Sequence, residues 1–389
     1  HTQLSGEHLK EQEAYWVGLF DEQHTGQEVP LLNLPGDYPR PKQRSFAGGS
    51  LEFSLPSASA TSLRELAMES GATLFMVLLA AYNVFLSRYS GQEDIVVGTP
   101  VAGRSHVQLE RMLGMFVNTL ALRNAPVQEK TFRQFLNEVK DNALNAFEHQ
   151  DYPFDMLVNR LHLQRDLSRN PLFDTMFRLQ NFMDISREVP GLQVKPYPLE
   201  SSFASFDLML TVVEPIAQNE GNDGQAGLHC TFEYSSELFS EQTVRQMAQH
   251  FIELAAQLAS QPDRPLYAAS LLTSAEQSHI LVARNATEFA LPADKLMHHL
   301  FEEQAAQIPD AIAVECGDRR ITYGELDMLS NQMARTLRSK GAGVNTVVAL
   351  LLERSVDLLI GMLGILKAGA AYLPIDPDYP AARIAYMLE

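Results

Sequence analysis

The chain has 389 residues, of which 46% are hydrophobic and 20% charged, and this composition excludes a wholly disordered protein. At roughly 150 residues per domain, the length predicts about two to three domains. Lys and Arg number 30 against 48 Asp and Glu, so the net charge is −18. A negative field of this size argues against a surface that binds nucleic acid or an anionic membrane.

Two cysteines, Cys230 and Cys316, are too few for a disulfide framework, and neither lies in a Cys-x-x-Cys pair. We therefore expect a cytoplasmic, reducing location and no metal site. The longest apolar runs, 74–82 and 358–366, have nine residues each, whereas a membrane span needs about 20. The chain begins with His1 and ends inside a helical pattern, so we expect a piece of a longer polypeptide.

Hydrophobic periodicity predicts that helices and strands alternate along residues 1–260. Helices are expected over 1–20, 58–69, 73–89, 131–147, 153–162 and 240–258. Strands are expected over 50–55, 95–97, 115–122, 172–180, 206–214 and 228–234. The helix over 73–89 is apolar on nearly all sides, so we expect it at the centre of the core.

Residues 261–292 are expected to form an ordered linker, because they contain three prolines and only one short amphipathic stretch, near 274–284. Residues 293–389 then carry an α/β pattern, with strands expected over 311–315, 320–322, 347–352 and 372–375. Thr322 and Glu325 form a capping box that begins a helix. A second helix lies between the last two strands, which predicts a βαβ unit and a parallel sheet.

Asn118 is a single amide within the apolar run 113–120. A buried amide must find hydrogen-bond partners or costs about 1–3 kcal/mol. Asn118 is therefore either a structural pin or a donor that lines a channel.

Residues 149–155 read His-Gln-Asp-Tyr-Pro-Phe-Asp. An imidazole near carboxylates is compatible with catalysis, but these residue types also suit the junction of two helices. In the preferred interpretation, Asp151 is an N-cap, Pro153 starts the next helix and Asp155 lies in its first turn.

Residues 165–172 hold five polar side chains, those of Arg165, Asp166, Ser168, Arg169 and Asn170. They form either a loose surface loop or a turn locked by the forked guanidinium groups of the arginines. The residues themselves favour neither alternative.

These three segments, in this order, resemble the later motifs of the condensation domain of non-ribosomal peptide synthetases. Residues 113–123 resemble its Gly-x-Phe-Val-Asn-Thr strand, and 149–155 resemble His-Gln-Asp-Tyr-Pro-Phe-Glu, with Asp155 where Glu is usual. Residues 165–172 resemble Arg-Asp-x-Ser-Arg-Asn-Pro-Leu. Further along the chain, segments 321–326 and 366–376 resemble the first two motifs of the adenylation domain, where they imply a scaffold role.

The resemblance implies an α/β chain that starts with a chloramphenicol-acetyltransferase-like lobe. Residues 1–260 would be the C-terminal lobe of a condensation domain, 261–292 the inter-domain linker and 293–389 the N-terminal part of an acyl-adenylating, AMP-forming ligase-like domain. In the family, a tunnel between two lobes receives two carrier-bound thioesters. The family's His-His-x-x-x-Asp-Gly signature is absent from this sequence, so no catalytic residue is assigned.

The residues that the resemblance places near the condensation tunnel are Asn118, His149, Asp151, Arg165, Asp166, Arg169 and Asn170. The residues that it places in the adenylation scaffold are Tyr323, Glu325, Lys367, Gly369 and Asp376. No cofactor is expected on these 389 residues alone. The parent would use ATP, Mg and 4'-phosphopantetheine on partner carrier domains.

The expected partners are peptidyl carrier domains upstream and downstream, the first condensation lobe and the remainder of the adenylation domain. No nucleic acid, membrane or metal is expected. We expect the chain alone to be inactive. A stand-alone acyltransferase of similar fold and a non-catalytic docking platform are the alternatives.

Overall fold

The computed structural model describes residues 6–20, 29–104, 109, 112–163, 166–181, 202–214, 227–290 and 294–389. The chain divides into two compact units, residues 1–286 and 287–389. Among the described residues, no single helix is long and apolar enough to cross a membrane, and one pair reaches that length only across a 112° bend.

The first unit contains a six-stranded mixed sheet. Its strands are β1 (Gly48–Leu55), β2 (Ile95–Val101), β3 (Asn118–Asn124), β4 (Thr175–Asn181), β5 (Leu208–Glu214) and β6 (Leu228–Ser235). They lie in the order β1-β6-β5-β4-β2-β3. β4 is parallel to β2 and β5, and the other neighbouring pairs are antiparallel. The strand predicted from residue 115 begins at Asn118, because Met115 and Val117 are exposed before the ladder starts.

Seven α-helices of the described part belong to this unit. They are α1 (Glu7–Phe20), α2 (Ser57–Glu69), α3 (Leu74–Ser90), α4 (Phe132–Glu148), α5 (Phe154–Arg160), α6 (Glu241–Ser260) and α7 (Ser274–Leu281). Thr73 and Thr131 cap α3 and α4 through their hydroxyl oxygens. The expected central helix is confirmed, because α3 is buried from Met76 to Ser87 and Tyr82 bonds to Thr175 of β4.

The core of the first unit extends into the predicted linker. Leu266 and Ala269 are buried in the same apolar cluster as Phe251 of α6. Arg133 of α4 also donates a 2.8 Å hydrogen bond to Asp263. The stretch from 262 to 269 is therefore packed onto the first unit, and the division between the two units falls after Ala286.

Helix α7 is attached to the first unit by polar bonds and has no buried residue of its own. The carboxylate of Glu276 accepts hydrogen bonds from the backbone N–H and hydroxyl of Thr273, from Gln246 and from His250, at 2.8 to 3.0 Å. His250 in turn bonds to Tyr89 of α3 at 2.6 Å. One carboxylate therefore connects the start of α7 to α6.

This carboxylate should make the attachment of α7 sensitive to acid. Partial burial raises the pKa of Glu276, but the hydrogen bonds from Thr273, Gln246 and His250 outweigh it and bring the pKa to about 2. A depressed folded-state pKa stabilises the fold above the ordinary value, and this contribution is lost as pH falls from about 4.5 towards 2. We expect the protection factors of amides 274–281, which are corrected for the intrinsic pH dependence of exchange, to fall over that range in the wild type and to be low throughout in Glu276→Gln. Equal protection in both proteins at pH 6 would contradict this.

The second unit contains a hairpin and a parallel strand pair with helices. Its elements are α8 (Met297–Gln307), β7 (Ile312–Cys316), β8 (Arg319–Thr322), α9 (Tyr323–Ser339), β9 (Val347–Leu351), α10 (Val356–Ala368), β10 (Ala371–Ile375) and α11 (Ala381–Leu388). The parallel pairing of β9 with β10 confirms the predicted βαβ unit. The capping box of Thr322 and Glu325 is also confirmed.

Candidate functional site

Asn118 holds the turn between α4 and α5. Its Nδ2 donates to the carbonyl oxygens of Gln150 at 2.9 Å and Tyr152 at 2.8 Å. Its Oδ1 accepts from the backbone N–H of Phe154 at 3.2 Å. Because both ends of the amide are engaged by the turn, this geometry is that of a structural pin.

The predicted N-cap role of Asp151 is wrong. Pro153 occupies the N-cap position of α5 and provides no side-chain cap. The first free N–H of the helix, that of Phe154, donates instead to the side-chain oxygen of Asn118 on β3. Asp151 instead lies 3.8 Å from Nε2 of His8, and Asp155 is in the first turn of α5 as predicted.

Helix α1 covers the other side of this turn. The indole N–H of Trp16 donates to the carbonyl oxygen of His149 at 2.8 Å, and Gln12 donates to that of Glu148 at 3.0 Å. These two carbonyls belong to the end of α4, where helix carbonyls lack partners within the helix. The His149 ring stacks on Tyr15 at 4.1 Å and bonds through Nδ1 to the Asn145 carbonyl. Burial raises the pKa of Tyr15 to about 12.

The segment that begins at Asp166 is a locked turn. Asp166 accepts from the backbone N–H of Ser168 at 2.7 Å. Arg169 donates to Asp174 at 2.6 Å, to the Leu32 carbonyl at 2.9 Å and to Asn33 at 2.7 Å. Arg165, the first residue of the predicted segment, lies outside the described residues.

Asn170 completes this turn. Its backbone N–H donates to Asp174 at 3.0 Å, and its side chain donates to the Ser205 carbonyl at 3.0 Å. The side chain of Asp174 is 3% exposed, so water can do little to stabilise its carboxylate. Arg169 supplies the counter-charge, and Arg169 and Asn170 supply the hydrogen bonds.

A second ion pair, which sequence reasoning missed, supports the same turn. Arg40 donates to the Ser168 carbonyl at 3.0 Å and forms a salt bridge with Asp207. Burial raises the pKa of Asp207, and the bond from Arg40 offsets only part of that effect. The two partners are 167 positions apart, so no local sequence pattern indicates the pair.

The two motif turns meet on one face of the sheet. The rings of Phe154 and Phe173 lie 5.4 Å apart, and Phe206 lies 5.8 Å beyond Phe173. Phe173 covers Gly98 of β2 so closely that an added Cβ would lie 2.2 Å from its ring. Because Gly98 has no side chain, the ring of Phe173 can lie against β2, where it contacts Phe154 and joins the two turns.

The candidate residues of the second unit make structural contacts. Lys367 is 6% exposed, and its ammonium bonds to Asp327 at 2.5 Å and to Asn331 at 3.1 Å. Gly369 ends α10 at a φ of 86°, where a side chain would be strained. The ring of Tyr323 lies 6.0 Å from that of Phe301 on α8.

Asp376 follows β10 at the carboxyl end of the parallel pair. It is exposed, and its carboxylate accepts from the Asp378 N–H at 3.0 Å. Within the ranges that the structure covers, no three His, Cys, Asp or Glu side chains are grouped so as to hold a metal ion.

Comparison with known proteins decides the family. The family model for the condensation domain matches residues 1–281. The chain belongs to the condensation-domain family. A second model, that of AMP-binding enzymes, matches residues 301–389. The condensation domain is therefore followed by the start of an adenylation domain, as the sequence motifs predicted.

The curated relatives are peptide synthetases. The chain is 50% identical to tyrocidine synthase 3 of Brevibacillus parabrevis over 382 residues, which is 98% of this chain and 6% of that protein. It is 49% identical to gramicidin S synthase 2 of Aneurinibacillus migulanus over 386 residues, or 99% of this chain and 8% of that protein. The chain thus spans less than a tenth of the length of these relatives.

The fold has a match among solved structures. A four-domain nonribosomal peptide synthetase bound to AMP and glycine superimposes with a TM-score of 0.80 and 25% identity, over 99% of this chain and 29% of that one. The predicted α/β class, a condensation lobe followed by the start of an adenylation domain, is confirmed.

Proposed function

We propose that this chain is the C-terminal lobe of a condensation domain and the first part of an adenylation domain in a cytoplasmic, modular non-ribosomal peptide synthetase. The observation that carries this proposal is the continuous match of one chain, condensation part first, to a synthetase over 98% of its length. The parent would form peptide bonds between carrier-bound thioesters and activate an amino acid with ATP.

The proposed condensation reaction is an aminolysis of a thioester. The amine nitrogen of the downstream aminoacyl group attacks the upstream thioester carbonyl carbon. The C–N bond forms, the C–S bond breaks, and the leaving sulfur takes up a proton while the attacking nitrogen loses one. The two motif turns, fixed by Asn118 and Arg169, contribute rigid walls, because their polar groups are used within the fold.

The residues of 294–389 alone do not fit ATP and Mg. Asp376 is a single carboxylate at the sheet edge, and the sequence contains no glycine-rich phosphate loop of the P-loop type. We therefore propose that nucleotide, metal and the 4'-phosphopantetheine arm act together with other parts of the synthetase and its carrier domains. No step through these groups is assigned to this chain.

A polypeptide of these 389 residues is expected to be inactive by itself. It holds no His-His-x-x-x-Asp-Gly sequence, and loss of general acid–base assistance alone costs a factor of about 10² to 10⁴. The test supplies loaded carrier proteins, and separately ATP with amino acids, to this polypeptide and to the complete module. Peptide is measured by mass spectrometry and adenylate formation by pyrophosphate exchange.

The complete module serves as the positive control. Peptide formation by the module, with background from the 389-residue chain, would support the proposal. A module that joins no pair of loaded carriers would overturn the synthetase function. Robust turnover by the short chain would instead favour a stand-alone acyltransferase.

A further inference from the structure

Strand β4 places an arginine on the sheet face where the motif turns meet. Successive side chains of a strand point to opposite faces. Phe177 packs on Phe75 and Tyr82 on the side of α3. Met176 and Arg178 therefore lie on the opposite face.

This face is the one that carries the motif turns. Gly98 of β2, which Phe173 covers, is the register partner of Met176. Paired residues share a face, and Arg178 is two positions further along β4, or about 7 Å. Arg178 is thus a near neighbour of the aromatic contact that joins the two turns.

The guanidinium of Arg178 is underused within the described part of the chain. Its Nη2 donates to Thr211 of β5 at 3.2 Å, whereas its Nε is buried and has no partner among the described residues. No carboxylate of these residues lies within 4.0 Å of it. A guanidinium has five N–H donors in a fixed fork, so the described residues leave most of this capacity unused.

Several other half-buried arginines of the first unit have a carboxylate partner or more than one hydrogen-bond partner among the described residues. Arg88 and Arg104 have no carboxylate there, but each donates to two backbone carbonyl oxygens. Each of the following has a carboxylate partner: Arg40 with Asp207, Arg64 with Glu214, Arg123 with Asp94, and Arg169 with Asp174. A partly desolvated cation without a counter-ion costs free energy unless an anion is supplied. Arg178, beside the motif turns, has no such partner among the described residues.

We propose that Arg178 is a substrate-binding residue that receives the side-chain carboxylate of an acidic residue in the carrier-bound aminoacyl or peptidyl group. This inference rests on the proposed synthetase function. A planar guanidinium pairs with a carboxylate through two parallel hydrogen bonds, and the bond to Thr211 fixes the plane of the fork. The counter-ion of Arg178 is then part of the substrate.

The experiment uses the complete module with its upstream carrier. Aspartyl and asparaginyl groups, which differ in charge but hardly in size, are loaded first on the upstream and then on the downstream carrier. The wild type is expected to prefer the aspartyl group on one carrier by about 10-fold to 100-fold in kcat/KM. Arg178→Gln should abolish this preference, mainly by lowering kcat/KM for the aspartyl group.

Two further variants make the result specific. Arg178→Lys keeps the charge without the fork and should retain part of the preference. Arg245→Gln removes an exposed guanidinium of α6 and should keep all of it. The lysine variant also replaces Arg178→Gln if the latter does not fold.

Two outcomes overturn the inference: a wild type that shows no preference on either carrier, or an Arg178→Gln variant with the wild-type ratio. A wild-type module that forms no peptide from any loaded pair refutes the proposed function instead. The two failures are therefore distinguishable.

Discussion

Replacement of Arg169 by alanine is expected to lower the free energy of unfolding of the first unit by about 3–5 kcal/mol. The variant would leave the carboxylate of Asp174 with 3% exposure and without its cation. It would also remove the donors to the Leu32 carbonyl and to Asn33. Since an uncompensated buried charge is among the most costly defects, the effect should far exceed that of a surface ion pair.

The chain offers its own probe for this measurement. It contains one tryptophan, Trp16, which is 2% exposed in the core of the first unit. Its fluorescence during urea unfolding therefore reports on this unit separately from the second. In the complete module, Arg169→Ala should reduce the yield of folded protein more than it changes thioester affinity.

The matched control is Arg245→Ala on α6. This residue also forms a salt bridge, to Glu241, but both side chains are exposed and the expected cost is about 0.5 kcal/mol or less. If the two variants unfold at similar urea concentrations, the turn does not depend on Arg169. A stable but inactive Arg169→Ala module would assign the residue to substrate binding.

Patterns carried by neighbouring residues were predictable from the sequence. Thr322 and Glu325 are three positions apart, so their spacing alone indicates a capping box. The apolar run of α3 likewise indicated a central helix, because periodicity reports burial directly. Motif order also indicated the family.

Interactions between distant segments were not predictable in this way. Asp151 has the residue type of an N-cap, but in the folded chain the N–H of Phe154 donates to the side chain of Asn118 instead. Arg40 lies in the loop that precedes β1, and Asp207 lies directly before β5. The fold brings these two segments together, and no sequence pattern relates them. Sequence also does not reveal that Arg178 has a single hydrogen-bond partner, Thr211, among the described residues, because the partners of a half-buried side chain depend on the fold.

Replacement of Asn118 by alanine is expected to lower the free energy of unfolding of the first unit by about 2–3 kcal/mol. It leaves the carbonyls of Gln150 and Tyr152 and the N–H of Phe154 without their partner, and each unsatisfied group costs about 1–3 kcal/mol before water compensates. Hydrogen exchange of residues 149–155 should accelerate together with the loss of stability seen by Trp16, whose indole bonds to this turn.

The variant Asn118→Asp tests the two hydrogen bonds that Asn118 donates separately from the one that it accepts. Asn118→Asp keeps an oxygen for the Phe154 N–H but turns the two donors into a carboxylate that faces the carbonyls of Gln150 and Tyr152. Because like partial charges then oppose each other, this nearly isosteric variant should be as destabilised as the alanine variant. The control Asn159→Ala removes an exposed amide from α5 and should change stability by less than about 0.5 kcal/mol. A wild-type stability of Asn118→Asp would mean that the donors to the turn are dispensable, and the pin would then consist of the Phe154 bond alone.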